Sequence, residues 1–255
     1  MAAFREYVFA QSLEEAYRLN RQKSAVIVGG NMWLRMCGMR RRTAIDLTRL
    51  GLDKIEEEED AFRVGAMVTL RALETDARLN AAFGGAFAAA LSPIVGTQFR
   101  NGATVGGSVY SRFGFSDVSA LLLSLDARVM LHGRGEVALE DYQFEAWDRD
   151  VLTHVVIPKG RRAGISSVRL SATDFPVLVA AAARSASGLR LVVGARPARA
   201  MIVCDGMDPA RVTPQEMERL AQSIPLGSNL RASQAYRRKI APVLLMRAAA
   251  ACMEG

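Results

Sequence analysis

The amino-acid sequence predicts an α+β protein in which two mixed units are followed by a small sheet covered by helices. Helix start signals and short apolar runs of strand type alternate up to a polar, turn-rich stretch at 158–162, and three strand-like segments then follow in succession. A chain of 255 residues is long enough for two domains. We therefore expect an N-terminal domain at 1–160, with subdomains of about 1–50 and 51–160, and a C-terminal domain at 161–255.

The first helix is predicted from a capping box at residues 12–15, which read SLEE. In such a box, the Ser12 hydroxyl accepts a hydrogen bond from the Glu15 amide, and the Glu15 carboxylate reaches back to the Ser12 amide. The helical pattern then continues to about Asn20. A helix over the second decade of the chain is the expected result.

Similar signals predict the elements that follow. Five acidic residues at 56–60 indicate a solvated hairpin turn, because they come without histidine or a spaced ligand pattern. Thr69 caps one helix, and Ser116 or Asp117 caps another. The other predicted elements are strands at 25–28, 44–47, 129–131, 137–139, 152–157, 166–170, 177–184 and 189–195, a helix at 80–91, a loop at 99–107, and helices that begin at Thr213 and Ser233.

Composition and charge argue against several classes of function. The net charge of +7 is spread over small clusters of arginine and lysine without interleaved aromatic residues, so we expect no nucleic-acid binding. The cysteines Cys37, Cys204 and Cys252 form no C-x-x-C pair, and we expect no metal site. No apolar stretch approaches the ~20 residues of a membrane span, and the first residues do not read as a signal peptide. The sequence therefore predicts a cytoplasmic protein with no membrane association.

Two glycine pairs are the main chemical signals in the chain. Gly29 and Gly30 follow a predicted strand, and Gly106 and Gly107 lie within residues 103–108. Glycine lets backbone amides surround a phosphate, because no Cβ stands in the way. Two such turns that converge could hold the pyrophosphate of a dinucleotide. Neither pair belongs to a G-x-G-x-x-G motif, so a Rossmann site is not supported.

The second glycine pair lies in a segment that resembles a known family. Residues 98–107 read QFRNGATVGG, and Asp117 and residues 120–127, ALLLSLDA, follow. These stretches resemble the FAD-binding subunits of molybdenum hydroxylases, the flavoproteins of carbon monoxide dehydrogenase and xanthine dehydrogenase, with their R-N-x-A-T-x-G-G segment, aspartate and A-L-L-A-L-D-A helix. Residues 230–238, LRASQAYRR, are similar to the family's D-x-R-A-S-x-x-Y-R-R signature. The resemblance spans the chain and implies a two-subdomain FAD-binding fold of the PCMH type, followed by a C-terminal three-stranded sheet with helices.

The resemblance also implies which residues hold FAD. Residues 28–33 and 104–108 would be the two turns around the pyrophosphate, Ile94 and Leu152 would lie beside the isoalloxazine ring, and Arg169 falls where the family has a flavin-facing lysine. Judged without the resemblance, Ile94 and Leu152 are ordinary core positions and Asp117 is a helix cap. The implied cofactor-binding residues are Val28, Gly29, Gly30, Asn31, Met32, Trp33, Ile94, Thr104, Gly106, Gly107, Ser108, Asp117, Leu152 and Arg169.

An electron-transfer role and its partners follow from the same resemblance. A large subunit with a molybdopterin cofactor would oxidise the substrate, a small subunit with two [2Fe–2S] clusters would relay the electrons, and FAD on this chain would pass them to NAD or another acceptor. Such a chain needs no general acid or base of its own, because the flavin carries the chemistry. We predict no catalytic residue, and we interpret His132 and His154 as structural.

Three other functions remain open from the sequence. The family's T-D after the first glycine pair is Asn31-Met32 here, and the flavin-facing lysine is missing; both changes favour a flavin-free scaffold subunit of the same fold. A free-standing flavin oxidase would need a substrate pocket of its own. A basic binding module would show a steep salt dependence of its affinity for nucleic acid.

Overall fold

The first unit is a three-stranded parallel sheet with one helix. The computed structural model describes residues 3–38 and 40–253. Strands β1 (Ala3–Phe9), β2 (Ala25–Val28) and β3 (Arg40–Asp46) lie in the order β1-β3-β2, and α1 (Leu13–Asn20) connects the first two. The strand predicted at 25–28 is confirmed and the one predicted at 44–47 is part of β3. Strand β1 had no sequence signal, because it is an edge strand that is mostly exposed and carries charged residues.

The cap of α1 is confirmed in one of its two predicted contacts. Ser12 Oγ accepts from the Glu15 amide at 3.1 Å. The Glu15 carboxylate accepts from the Gln11 amide at 2.8 Å, not from the Ser12 amide. The return contact of the capping box therefore lies one residue earlier than predicted.

The second unit is built on a five-stranded antiparallel sheet in the order β4-β5-β8-β6-β7. The acidic residues at 56–60 span the end of β4 and the turn to β5, which confirms the predicted hairpin. The strands of this sheet are β4 (Ile55–Glu57), β5 (Ala61–Gly65), β6 (Arg128–Leu131), β7 (Gly135–Ala138) and β8 (Leu152–Pro158). Its helices are α2 (Leu70–Thr75), α3 (Ala77–Ala82), α4 (Ala86–Leu91), α5 (Thr97–Gly102), α6 (Val105–Tyr110), α7 (Asp117–Ser124) and α8 (Leu139–Tyr142).

The single helix predicted at 80–91 is wrong. The structure has two helices there, α3 and α4, separated by Gly84 and Gly85 at φ +68° and +77°. Glycine adopts this left-handed conformation without the Cβ clash that other residues meet, so the pair ends one helix and begins the next.

The loop predicted at 99–107 is also wrong. Helices α5 and α6 occupy most of this segment, and only Ala103 and Thr104 lie between them. Three glycines mask the helical signal, because glycine disfavours a helix interior by about 1 kcal/mol relative to alanine. Tertiary packing overrides that preference here, and the second glycine pair consequently lies in the first turn of a helix.

The C-terminal part is a four-stranded antiparallel sheet in the order β12-β11-β10-β9, with two helices on one face. The three predicted strands are present, and the hairpin turn predicted at 185–188 is confirmed. The sheet also has a fourth strand, β12, that has no clear sequence pattern, because it lies at an edge and pairs through irregular registers. The elements are β9 (Arg162–Arg169), β10 (Pro176–Ser185), β11 (Gly188–Gly194), β12 (Met201–Met207), α9 (Pro214–Ser223) and α10 (Gln234–Met253).

Strand β10 is buried on both faces and joins two hydrophobic cores. Val179, Ala181 and Ala183 belong to the core of the second unit, and Leu178 and Ala180 belong to the core beneath α9 and α10. Successive residues of a strand point to opposite faces, so one strand can serve both cores. Helix α7 packs on β10 and β11 and is itself buried at every position. The C-terminal sheet is therefore packed directly against the second unit.

Candidate functional site

The two glycine turns touch each other in the folded chain. A Cβ on Gly30 would lie 1.3 Å from the carbonyl oxygen of Gly102, and a Cβ on Gly29 would lie 2.7 Å from Thr104 Oγ1. Such distances are far inside van der Waals contact, so only glycine permits this approach. The expected convergence of the two turns is present, and it brings the end of β2 against the start of α6.

The first turn carries a row of unused hydrogen-bond donors. Within residues 3–38 and 40–253, the backbone amides of residues 29–33 have no hydrogen-bond partner. Asn31 has a φ of +58°, and its side-chain Oδ1 is buried without a described partner. Successive free amides in a turn that includes a left-handed residue form a concave anion-binding site. The turn after β2 therefore has the donors that a phosphate group requires.

Most backbone amides of the second turn already have partners, which distinguishes this turn from the first. Thr104 is the N-cap of α6, and its Oγ1 accepts from the Gly107 amide at 3.2 Å. The Val105 and Gly106 amides donate to the carbonyls of Val68 and Ala66 at 2.9 and 2.8 Å. These three amides already have partners and are not available to a pyrophosphate in this conformation, and the cofactor-binding role of the second turn stays a prediction.

Gly106 has a packing role instead. A Cβ at this position would lie 2.7 Å from both the Cβ and the carbonyl oxygen of Ala66. Gly107 is less restricted, because a Cβ there would meet only Thr104 Oγ1, at 3.0 Å. Gly107 and Ser108 still line the cavity beside the first turn, so α6 presents a side-chain-poor surface to it.

Three adjoining cavities form a groove along these turns. The turn cavity is lined by residues 29–33 together with Thr104, Gly107 and Ser108. It shares Gly29 and Thr104 with a second cavity, the strand-end cavity, which Ala25, Leu47 and Leu152 also line. It shares Trp33 and Ser108 with a third, the aromatic cavity. The three cavities are therefore continuous, and the two ends of the groove differ in their lining.

One end of the groove, the aromatic cavity, is walled by aromatic rings around Trp33. The indole stacks on Phe175 with centroids 5.2 Å apart and also contacts Phe99, Phe113 and Phe115 at 5.7, 6.1 and 5.8 Å. Phe113 and Phe115 stack on each other at 5.0 Å. Sequence reasoning missed the three phenylalanines at 113, 115 and 175; the only available signal was the F-G-F run before Ser116.

A buried ion pair lies in the same cavity. Arg169 Nη2 donates to Asp117 Oδ2 at 2.7 Å, and both side chains are less than one-tenth exposed. Burial raises the pKa of Asp117 to about 6, even though Arg169 opposes the shift. Arg169 Nε is buried without a described partner. Ser116, not Asp117, caps α7, because its Oγ accepts from the Ser119 amide at 3.1 Å.

The predicted residues divide among the cavities as follows. Ile94, Asp117 and Arg169 line the aromatic cavity, whereas Leu152 lines the strand-end cavity on the other side of the contact between Gly29 and Thr104. Val28 is fully buried and lines none of the three. Met32 lines the turn cavity and packs against Gly102, so an apolar contact stands where the family resemblance implies an aspartate.

Comparison with protein families assigns this architecture. Residues 2–160 match the family described as the FAD binding domain in molybdopterin dehydrogenase. The chain belongs to this family. Its cofactor is therefore FAD, and it acts as an FAD-binding subunit in an oxidoreductase. The free amides of the first turn, the unpartnered Asn31 oxygen and the glycine-only contact at Gly30 fit a phosphate-bearing cofactor.

Individual relatives match nearly the whole chain in sequence or in fold. The Escherichia coli (strain K12) protein YgfM is 31% identical over 251 residues, which cover 95% of this chain and 94% of that protein. Carbon monoxide dehydrogenase from Hydrogenophaga pseudoflava is similar in structure, with a TM-score of 0.86 at 20% identity over 99% of this chain and 98% of that one. Quinoline 2-oxidoreductase from Pseudomonas putida 86 gives 0.86 at 21% identity over 99% of both chains.

The described residues hold no cluster of three or more histidine, cysteine or acidic side chains arranged to bind a metal ion. Among the helices of the described residues, none is both long enough and apolar enough to cross a membrane.

Proposed function

We propose that this chain is the electron-transfer subunit of a molybdenum hydroxylase complex. In the complex, a large subunit with a molybdopterin cofactor oxidises the substrate, and a small subunit with [2Fe–2S] clusters delivers the electrons. FAD held by this chain would supply the transfer of these electrons to NAD or another acceptor. The observation that carries the proposal is the row of amides at residues 29–33, which have no partner in the part of the chain that the structure describes and lie in a groove that ends in an aromatic cavity.

In this proposal, each part of the groove binds a different part of FAD. The amides of residues 29–33 would bind the diphosphate, and the Asn31 side chain, which lines the turn cavity and has an unpartnered Oδ1 among the described residues, would offer the cofactor one further hydrogen bond. Ile94 and the Asp117–Arg169 pair would adjoin the isoalloxazine ring in the aromatic cavity. Leu152, which the family resemblance places beside the same ring, lies in the strand-end cavity and would adjoin the other end of the cofactor instead. Thr104, Gly106, Gly107 and Ser108 keep the surface opposite the first turn close and free of large side chains.

The flavin, when bound, accepts electrons one at a time and releases them as a pair. The chain itself binds and orients the cofactor and excludes water from it. The aromatic rings around Trp33 give this end of the groove an apolar wall. Burial raises the pKa of Asp117 to about 6, and the ion pair with Arg169 opposes that shift at this end of the groove.

A binding series tests the site. The purified chain is incubated with FAD, FMN or riboflavin, desalted, and assayed for bound flavin by its visible absorbance. We expect FAD to be retained best and riboflavin least, because only FAD carries the diphosphate that the first turn binds. A protein that stays colourless with FAD would support the flavin-free scaffold instead, and equal retention of riboflavin would rule out the role of the first turn.

A second experiment tests the electron path. The tagged chain is isolated from the cells that make it, and the preparation is assayed for co-purifying subunits, molybdenum, iron and acid-labile sulfide. We expect all of these together, and we expect NAD⁺ to reoxidise the reduced flavin. A lone flavoprotein that oxidises substrates without other subunits would contradict the proposal and identify a free-standing oxidase.

A further inference from the structure

One wall of the aromatic cavity is held in a strained backbone conformation. Val95 has a φ of +50°, a left-handed value that is an outlier for a β-branched residue. Its side chain is 36% exposed, so burial does not offset the strain. Val95 and Ile94 both line the aromatic cavity, in the connection between α4 and α5. Strain of this kind persists only where surrounding groups fix the backbone.

The guanidinium of Arg100 makes hydrogen bonds to this turn. Arg100 Nη1 donates to the carbonyl oxygen of Ile94 at 2.9 Å, and Nη2 lies 3.4 Å from Thr97 Oγ1. The remaining donors go to one carboxylate: Nε lies 2.7 Å from Glu74 Oε2, and Nη2 lies 3.4 Å from Glu74 Oε1. One planar side chain therefore connects the strained turn to helix α2.

The carboxylate at the other end is buried and firmly ionised. The side chains of Glu74 and Arg100 are 7% and 6% exposed. Burial by itself would raise the pKa of Glu74, but hydrogen bonds from Arg100 and Arg71 hold it below its usual value. Arg71 binds the same carboxylate at 2.7 Å from the solvent side, where its own side chain is 41% exposed, and within residues 3–38 and 40–253 it makes no hydrogen bond to the turn at 94–95. Arg71 is thus a natural control for Arg100.

A buried ion pair adds little net stability compared with apolar residues of the same volume, because both charges must leave water. Its advantage is directional: the two donor edges of a guanidinium fix two acceptors in one plane. We infer that Arg100, anchored on Glu74, is a positioning residue that holds Ile94 and Val95 in the strained turn and so sets the width of the aromatic cavity. The inference rests on the proposed function in one respect, that this cavity receives the isoalloxazine ring.

The test uses Trp33 as a reporter of the cavity without flavin, and FAD affinity as the second readout. Trp147→Phe leaves Trp33 as the only tryptophan of the chain, since there are two. In this background, Arg100→Lys keeps the charge beside Glu74 but loses the planar link to Ile94. We expect a shift in Trp33 emission and a FAD dissociation constant raised by about tenfold, the loss typical of one buried hydrogen bond. Arg71→Lys should leave both unchanged.

Rescue separates positioning from general destabilisation. Glycine adopts a φ of +50° without strain, so Val95→Gly in the Arg100→Lys chain should restore most of the FAD affinity and of the Trp33 emission. Equal effects of Arg71→Lys and Arg100→Lys, or no rescue by Val95→Gly, would overturn the inference. Failure of the unsubstituted chain to bind FAD would instead contradict the proposed function, while the Trp33 emission of the flavin-free variants would still test the role of Arg100.

Discussion

The two glycine pairs of this chain are alike in sequence but have different roles in the structure. Gly29 and Gly30 lie in a turn whose amides have no described partner. Gly106 and Gly107 lie in the first turn of α6, where the amides are paired with Thr104 and with the carbonyl of Ala66. The first pair leaves donors for a ligand, and the second lets a helix approach its neighbours. A Gly-Gly pair thus indicates that another group comes close to the backbone. Whether that group is a ligand or a neighbouring element depends on whether the glycine amides already have hydrogen-bond partners.

The largest effect is expected for Gly30→Ala. The new methyl group would lie 1.3 Å from the Gly102 carbonyl oxygen, so the two turns must separate. We expect a loss of more than about 3 kcal/mol in the free energy of unfolding, or failure to fold, together with loss of FAD. Gly38→Ala is the matched control, because a methyl group there meets nothing within 4 Å. Thermal unfolding and bound flavin measure both; a stable Gly30→Ala chain would show that the turns are not in contact.

An intermediate effect is expected for Gly106→Ala, and it distinguishes packing from phosphate binding. The methyl group would lie 2.7 Å from Ala66, so we expect a loss of about 1–3 kcal/mol in the free energy of unfolding. Adding Ala66→Gly removes one of the two clashing atoms and should recover part of that stability. If the double variant regains stability but still fails to bind FAD, then Gly106 contacts the cofactor after all, and the contrast between the two pairs is lost.

The smallest effect is expected for Asn31→Gly. Asn31 has a φ of +58°, which glycine tolerates better, so we expect a gain of roughly 0.5 kcal/mol in the free energy of unfolding. The same change removes the unpartnered Oδ1, and FAD should bind a few-fold more weakly, as expected for one hydrogen bond of about 1 kcal/mol. Calorimetry and flavin titration give the two values. Unchanged FAD affinity would limit the role of the first turn to its backbone amides.

Local signals predicted much of the fold. The caps at Ser12, Thr69, Ser116 and Thr213 each accept the expected backbone amide, because a capping contact depends on residues only a few positions apart. The helices over 97–110 could not be predicted in this way. Their glycines are required by close tertiary contacts with Ala66 and with the turn after β2, and such contacts leave no local signal in the sequence.

The residues that line the aromatic cavity were harder still to predict from the sequence. Phe99, Phe113 and Phe175 meet Trp33 from separate parts of the chain, and no local pattern relates them. The buried pair of Asp117 and Arg169 likewise joins residues 52 positions apart. The family resemblance implied that Asp117 and Arg169 bind the cofactor, but the contact between them is visible only in the folded chain.

Strand β10 determines how this protein can be divided. Because its alternate residues belong to two different cores, a fragment cut near residue 160 would leave Val179, Ala181 and Ala183 facing water on one side and an open core on the other. Such fragments would aggregate through the bared strands rather than fold separately. The C-terminal region and the second unit therefore depend on each other for their folding. We expect the chain to unfold in one thermal transition, with flavin release and loss of the C-terminal sheet occurring together.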